Sequence, residues 1–358
     1  MSTEKSNIRI KDIARLAGVS EGTVDRVLHK RGDVSAKSQE AVNKVLKEIN
    51  YTPNILARSL ASKRIYRFIY LIPSYKEGEY WSIVNKGFEK AMQEFSGYNV
   101  SFEKACYDQF DVNSFNKVAQ SILISQPDAV FIAPIFRDET LKLTLKLSEA
   151  GVLFSFIDSV IDEANFLSYY GQNSFLSGYI AAKFLLDGLN QNDKVMVIRT
   201  KRKGAVSNQT KARYDGFMHY MEEFGLATKI SIIETELLED NEVVNKALIN
   251  QIITDNPTLR AAITFNSKVY RFASKLEDLD VNHIKIIGYD LLEENVKFLQ
   301  KGVVSLLLGQ RPENQSYLAA KDMCRKLIFN QDVSRINYMP IDVLIKENID
   351  AYINFDNK

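Results

Sequence analysis

The chain has 358 residues, and its apolar and charged fractions of 46% and 25% are ordinary for globular proteins, which excludes disordered and fibrous classes. No apolar run approaches the ~18 residues of a membrane helix, and no apolar export segment is visible at the N-terminus, so we expect a cytoplasmic protein. Residues 1–64 hold 13 Lys and Arg against 7 Asp and Glu, whereas the remainder holds 33 against 38. This asymmetry arises by chance or marks a basic head that contacts nucleic acid.

The first predicted elements are two short helices joined by a tight turn. Ile10–Ala17 carries its apolar residues on one helical face, and Gly18 follows as a turn residue that tolerates positive φ. Ser20 is a predicted N-cap for a second helix over Glu21–Leu28. This is the helix-turn-helix pattern, although any small helical hairpin has similar spacing.

A third helix is predicted after Ser35, with apolar residues at helical spacing up to Ile49. A bundle of three such helices leaves the second helix exposed. Its outward surface is polar or small and consists of Ser20, Glu21, Gly22, Thr23, Arg26 and His29. A surface of this kind contacts phosphates and base edges in a major groove, or is simply a solvated helix face.

The segment after the third helix separates these alternatives. Ile55–Ala61 predicts one more helix, too short to be stable alone, which we expect to order only when docked. The run from residue 8 to residue 63, including IKDIARLAGVSEGTVDRVL and YTPNILARSLASK, resembles the N-terminal region of the LacI family of transcription regulators. The resemblance implies that the second helix enters the major groove of double-stranded operator DNA, with Glu21 and Gly22 at the base-reading positions and Arg26 following them.

The same resemblance assigns a hinge helix to the segment that contains Asn54, Ala57 and Leu60. Two hinge helices would pair on DNA and wedge Leu60 into a minor-groove step, where unstacking is offset by contacts to the bent duplex. Some positions depart from the family pattern: Asp25 replaces a usual serine, and Arg9 replaces a usual hydroxyl residue. DNA binding is therefore predicted, whereas the operator sequence is not.

From residue 66 onward, short apolar runs alternate with amphipathic stretches such as Trp81–Phe95 and Leu176–Leu189. This alternation predicts right-handed βαβ units, and therefore an α/β fold of two doubly wound parallel-sheet lobes behind a small all-α head. Candidate strands are Phe68–Ile72, Val100–Lys104, Ala129–Ala133, Val152–Ile157, Val195–Ile198, Ile230–Ile233, Ala261–Phe265, Ile284–Gly288 and Val303–Leu308.

We place the DNA-binding domain at residues 1–50, the hinge helix and linker at 51–65, and the sensor domain at 66–358. The first lobe would take about 66–170 and 309–333, and the second about 171–308 and 334–358. The tail from residue 347 is too short and polar for a heptad coiled coil, so a homodimer is expected.

Polar residues at strand ends are the candidate ligand-binding groups, because open α/β sheets bind ligands at the carboxyl ends of their strands. Helix capping, a solvated helix charge or, for the single Trp, a core anchor are the alternatives. Together the candidates offer carboxylates, amides, a guanidinium and an aromatic plate, a mixture that suits a sugar. They are Ser74, Tyr80, Trp81, Asp158, Arg213, Asn266, Asp290 and Gln310.

These positions also resemble the sensor domain of the LacI family, which is similar to periplasmic sugar-binding proteins. The family carries an acid after the fourth strand, Arg three residues before a Gly-Phe pair, Asn after a later strand and a Gly-Tyr-Asp run. This sequence has Asp158, Arg213, Asn266 and Asp290 at those places. The resemblance implies a small-molecule effector that is a sugar or a derivative.

An enzyme is not expected. The three histidines fall in different predicted elements, and HExxH, GxSxG and P-loop motifs are absent from the sequence. The two cysteines lack metal-ligand spacing, so no metal, cofactor or membrane partner is predicted.

Three functions remain open at this point. The first is a DNA-binding regulator controlled by ligand, the second is a transport-type sugar-binding protein without a DNA role, and the third is a ligand-independent DNA binder.

Overall fold

The computed structural model describes residues 9–28, 32, 34–49, 64–200, 207–238 and 241–356. The chain divides into two compact units, Met1–Ala61 and Ser62–Lys358. The expected hinge helix at 55–61 lies outside the described residues. Within those residues, no helix has the length and apolarity that a bilayer crossing requires.

The described residues of the N-terminal unit form three helices, α1 (Ile10–Ala17), α2 (Glu21–Leu28) and α3 (Ala36–Glu48). Gly18 adopts a left-handed conformation with φ of 65°, and its N–H bonds back to the end of α1, so the predicted turn is confirmed. The side chain of Ser35 accepts a hydrogen bond from the N–H of Ser38 and caps α3 as predicted. The helices pack around a small apolar core of Ile13, Ala14, Val24, Val42 and Val45.

The second unit is built on two six-stranded, mainly parallel sheets. The first has the order β11-β5-β4-β3-β1-β2. Its strands are β1 (Tyr66–Pro73), β2 (Val100–Tyr107), β3 (Ala129–Ile132), β4 (Leu153–Asp158), β5 (Tyr169–Gly171) and β11 (Ile336–Tyr338).

The second sheet has the order β12-β10-β9-β8-β6-β7, in which β12 is antiparallel to β10. Its strands are β6 (Lys194–Thr200), β7 (Ser231–Leu237), β8 (Leu259–Thr264), β9 (Lys285–Tyr289), β10 (Leu306–Gly309) and β12 (Asp342–Leu344). The nine predicted strands are therefore present, and the α/β class with two lobes is confirmed.

Helices cover both sheets. Strand β3 is a continuous apolar run, and β8 and β9 are buried over most of their length, as expected for parallel strands that are covered on both faces. The first lobe has α4 (Tyr80–Glu94), α5 (Val112–Ser125), α6 (Arg137–Glu149) and the long α12 (Pro312–Phe329). The second has α7 (Ser174–Leu186), α8 (Asn208–Glu223), α9 (Glu242–Asp255), α10 (Val269–Asp278), α11 (Glu293–Lys301) and α13 (Ile349–Asp356).

The chain crosses between the lobes three times, and the last crossing differs from the sequence-based boundary. Residues 334–358 were expected in the second lobe, but Ile336–Tyr338 pairs with β5 in the first sheet. The chain therefore returns to the second lobe between β11 and β12. The three-residue strands β5, β11 and β12 are too short to show an apolar period, so the sequence did not predict them.

The helix predicted within Leu176–Leu189 also differs from expectation. Helix α7 was expected to be amphipathic, but it has apolar side chains on both its buried and its exposed faces. A helix that is apolar all round is usually enclosed by protein, whereas one face of α7 is exposed to solvent in this chain.

Candidate functional site

A cavity of about 80 Å³ lies between the two lobes, at the carboxyl ends of both sheets. The first lobe lines it with Glu79, Tyr80, Trp81, Gln109, Phe110, Ile135 and Asp158. The second lobe, together with the crossing that follows β10, contributes Ser207, Gln209, Thr210, Asn266, Ser267, Lys268, Tyr270, Asp290, Leu292 and Gln310 to the lining. The lining thus combines polar and charged side chains with aromatic rings.

Asp158 ends β4 and is buried in the wall of the cavity. Its backbone is left-handed, with φ of 70°, an uncommon conformation for a residue other than glycine. Tyr80 donates its hydroxyl to Oδ1 of Asp158 at 2.7 Å, and the N–H of Asp158 donates to Oε1 of Gln315 at 3.1 Å. These bonds fix the carboxylate so that it faces the cavity.

Asp290 follows β9 in the second lobe and is also buried and left-handed, with φ of 69°. Its Oδ1 accepts a hydrogen bond from Nε2 of Gln310 at 2.8 Å. The pKa of the Asp290 carboxyl is raised from 3.8 to about 7, mainly because the group is buried; Arg213 and the hydrogen bond from Gln310 lower it, and the charge of Asp158 adds a smaller rise. A buried acid of this kind is a strong acceptor for a hydroxyl group once it is ionised.

Arg213 lies behind the cavity wall rather than in its lining. The side chain is fully buried, and Nη1 donates to the carbonyl of Phe265 at 2.9 Å while Nη2 donates to Oε1 of Gln310 at 3.2 Å. The guanidinium stacks over the ring of Tyr289 at 3.8 Å from its centroid. Arg213 therefore holds Gln310, which in turn orients Asp290.

Gln209 is a site residue that the sequence analysis missed. Its Nε2 lies 2.9 Å from Oδ1 of Asp158 and 3.1 Å from Oε1 of Gln310. Since Gln209 belongs to the second lobe and Asp158 to the first, this amide bridges the lobes directly. Its position at the start of the helix that follows β6 in the chain was the available signal, because such helix starts face the cleft in open α/β folds.

Tyr80 and Trp81, the predicted aromatic ligand contacts, both line the cavity. Trp81 and Tyr80 stand at the start of α4, with ring centroids 5.0 Å apart and an edge-to-face geometry. Both rings are largely buried in the first lobe and line the cavity, so Trp81 is part of the core, and its stacking on a ligand stays a prediction. Asn266 also lines the cavity, and its Oδ1 accepts a hydrogen bond from the N–H of Lys268 at 2.9 Å.

Ser74, like Arg213, was predicted to contact the ligand but is not part of the cavity lining. Its N–H donates to the carbonyl of Tyr107 at 2.7 Å and so continues the pairing of β1 with β2 by one residue. Its side chain is exposed to solvent and does not line the cavity.

The predicted DNA-contacting surface lies on α2. Glu21, Gly22 and Arg26 are exposed, whereas Val24 on the opposite face is fully buried. The side chain of Ser20 accepts the N–H of Thr23 at 3.2 Å and starts the helix. His29, Asn54, Ala57 and Leu60 lie outside the described residues.

Comparison with known proteins decides the family. The bacterial regulatory protein family named lacI matches residues 9–54, and the periplasmic binding protein domain family matches residues 69–331. A crystal structure from Bacteroides fragilis, described as that of a LacI transcriptional regulator, shares 40% identity and a TM-score of 0.77, over 81% of this chain and all of that one. The chain belongs to the LacI family.

Curated relatives agree with this assignment. The sucrose operon repressor of Lactococcus lactis is 26% identical over 94% of this chain and 98% of its own length. The transcriptional repressor PurR of Pasteurella multocida is 26% identical over 78% of this chain and 81% of its own length. This LacI-family chain is therefore a DNA-binding transcription regulator with a ligand-binding sensor domain.

Proposed function

We propose that the chain is a cytoplasmic homodimeric regulator, without enzymatic activity, whose operator affinity is set by a sugar or sugar derivative bound between the two lobes. The observation that carries this proposal is the pair of buried acids, Asp158 and Asp290, which reach one cavity from opposite lobes. Sugar hydroxyls donate well to fixed carboxylates, and a sugar ring stacks on an aromatic side chain such as Trp81.

The charge balance of the site favours neutral sugars. Three carboxylates line the cavity, those of Glu79, Asp158 and Asp290, against the single ammonium of Lys268 among the described lining residues. The guanidinium of Arg213 lies behind the wall and is already engaged by Phe265, Gln310 and Tyr289. An anionic sugar would add negative charge beside Asp158 and Asp290, which is unfavourable in a buried site. A relative named as a sucrose operon repressor is consistent with a sugar effector.

Effector control follows if the ligand stabilises one arrangement of the lobes. In this structure Gln209 donates to Asp158 across the cleft, at the place where a ligand hydroxyl would donate. A sugar that replaces this bond and contacts both acids would change the relative stability of open and closed lobes. Operator affinity changes only by the difference in ligand affinity between the two states.

The proposed domains are residues 1–50 for DNA binding, 51–65 for the hinge, and the remainder for the sensor. The roles proposed for Glu21, Gly22 and Arg26 in reading DNA rest on their exposure on α2. In the sensor, we assign ligand contact to Tyr80, Trp81, Asp158, Asn266, Asp290 and Gln310, with Gln209 added and Arg213 as a positioning residue.

Calorimetry on the full-length protein tests the effector class. A panel of neutral pentoses, hexoses and disaccharides, sugar acids and nucleobases is titrated, and any compound that binds is added to a gel shift with DNA from upstream of the protein's own gene. We expect a neutral sugar to bind and to change the fraction of shifted DNA. Binding of a nucleobase alone would overturn the sugar assignment. A bound sugar without effect on the shift would favour the ligand-independent DNA binder.

A further inference from the structure

The open face of α7 has a regular apolar surface, which we call the α7 stripe. Its members recur along the helix in two adjacent columns, while the small and aliphatic residues between them face the core. The stripe consists of Phe175, Leu176, Tyr179, Ile180, Lys183 and Phe184. The exposed fractions of Phe175, Leu176 and Phe184 are 43%, 45% and 40%, so these three side chains are far from fully covered by this chain.

Aromatic residues of α8 extend the stripe sideways. The ring of Tyr220 lies 5.0 Å from that of Tyr179 and 4.6 Å from that of Phe224, which is 52% exposed. The ring of His219 lies 5.5 Å from that of Phe175. Contiguous exposed apolar surface of this kind marks an interaction site more often than single exposed residues do.

The order of residues along the stripe indicates what covers it. Phe175 and Phe184 stand at its two ends, and Tyr179 and Ile180 stand at its centre. A two-fold axis through the centre and perpendicular to α7 would therefore place each terminal Phe against the other terminal Phe of a second copy. A two-fold interface needs such self-complementarity, because residue i contacts j of the other copy while j contacts i.

Charge supports the same antiparallel arrangement. Lys183 is the one charged member of the stripe and lies near its C-terminal end. Glu223 lies beside the N-terminal half, where its Oε2 accepts the hydroxyl of Tyr179 at 3.0 Å. Antiparallel pairing brings Lys183 of each copy towards Glu223 of the other, whereas parallel pairing would separate them.

We propose that the α7 stripe joins two copies of this chain that belong to different homodimers, through antiparallel packing of their α7 helices; this rests on the homodimer proposed above. The stripe offers roughly a few hundred Å² per copy, below the ~800 Å² per partner of a standard stable interface, because an aromatic side chain supplies ~150–250 Å² only when fully buried. The contact is therefore weak by itself. It suits regulators that are already held close together, such as molecules bound at neighbouring DNA sites, where a high effective concentration compensates for a weak contact.

Sedimentation equilibrium of the full-length protein over a wide concentration range tests the contact. We expect the wild-type homodimer to double its mass as concentration rises, and Phe184→Asp to raise the dissociation constant of that dimer-to-tetramer step about tenfold or more. Leu145→Asp is the matched control, because Leu145 is 62% exposed on α6 of the first lobe, outside the stripe. Equal association of the wild type and Phe184→Asp, with equal thermal stability, would overturn the proposal.

A charge exchange tests the pairing of Lys183 with Glu223. Lys183→Glu should weaken association, and adding Glu223→Lys to the same chain should restore it. Failure of the double variant to recover, while both single variants fold and bind sugar normally, would contradict the antiparallel arrangement.

Cysteine cross-linking tests the register directly. Phe175→Cys and Phe184→Cys are made separately in a Cys106→Ser background, since Cys106 is a partly exposed native thiol. An equimolar mixture of the two variants should form a disulfide-linked pair under mild oxidation, whereas each variant alone should not. Efficient cross-linking of Phe175→Cys alone would overturn the proposed register. Sugar calorimetry on the same variants remains unchanged in either case, which separates this result from the proposed function.

Discussion

Asp158 and Asp290 occupy equivalent positions in the two lobes of the sensor domain. Asp158 ends β4, the third strand from the β11 edge of its sheet, and Asp290 follows β9, the third strand from the β12 edge of the other sheet. Both residues have a left-handed backbone, and both are buried in the wall of the same cavity. The side-chain amides of Gln209 and Gln310 connect them across the cleft. The two lobes thus present matching acids to one ligand, although no sequence repeat relates them.

The raised pKa of Asp290 predicts a pH-dependent penalty on stability. The unfolded chain releases the proton near pH 3.8, whereas the folded protein keeps it to about pH 7. The free energy of unfolding should therefore fall as pH rises through this window, because the ionised carboxylate is buried at a cost. Asp290→Asn should raise the free energy of unfolding by about 1–4 kcal/mol at about pH 8, and by much less at about pH 4.

Thermal unfolding of the wild type and Asp290→Asn at both pH values measures this effect. The same variant should lose sugar binding, since an amide replaces the carboxylate acceptor, and should keep its affinity for DNA. Asp278→Asn, at a partly exposed carboxylate on α10, is the control. A stability difference that does not change with pH would show that Asp290 does not titrate in this range.

Gln172 is predicted to hold the three lobe crossings together. Its Nε2 donates to the carbonyls of Gly309 at 2.6 Å and Pro340 at 2.9 Å, so one buried amide from the first crossing contacts the other two. Gln172→Leu leaves two carbonyls without this donor and should lower the free energy of unfolding by about 1–3 kcal/mol. It should also weaken sugar binding. Denaturant unfolding measures the change in stability, and calorimetry measures the change in sugar affinity. Gln120→Leu, at an exposed glutamine, is the control. Equal unfolding free energies and sugar affinities for the two variants would refute this role.

The crossing of α7 over α8 depends on glycine. A Cβ added at Gly216 would lie 1.9 Å from the carbonyl oxygen of Phe175, which is backbone and cannot rotate away. Gly216→Ala should therefore destabilise the sensor by roughly 1–3 kcal/mol or more, and should weaken sugar binding by displacing Arg213 on the same helix. Gly97→Ala, where nothing lies within 4 Å of the added Cβ, should be nearly neutral. Matching melting temperatures for the two variants would contradict the close approach.

Arg26 is predicted to bind DNA from the exposed face of α2. Arg26→Ala should weaken operator binding, and if Arg26 neutralises a phosphate, the slope of log affinity against log salt should become shallower by ~0.9 for each phosphate left without its cation. Gel-shift titrations at several salt concentrations measure both quantities. Lys142→Ala removes an exposed cation from the sensor domain and should have no effect. Unchanged binding by Arg26→Ala near physiological salt would exclude this role.

The sequence by itself determined the local elements. Apolar periodicity and a glycine turn predicted α1 and α2, and continuous apolar runs predicted the long strands, because these patterns reflect interactions within a few residues of the chain. The rule that ligands bind at the carboxyl ends of parallel strands also predicted that Asp158, Asn266, Asp290 and Gln310 lie in one cleft, and all four line the cavity.

Only the tertiary structure decided which polar side chains meet. The bond from Gln209 to Asp158, the contacts of Gln172 and the exposure of Ser74 depend on how distant segments pack. The pKa of Asp290 likewise depends on burial and on charges brought from α8 and β4. Such pairings join residues far apart in the chain, so no local pattern contains them, and only the packed lobes fix the chemistry of the cleft.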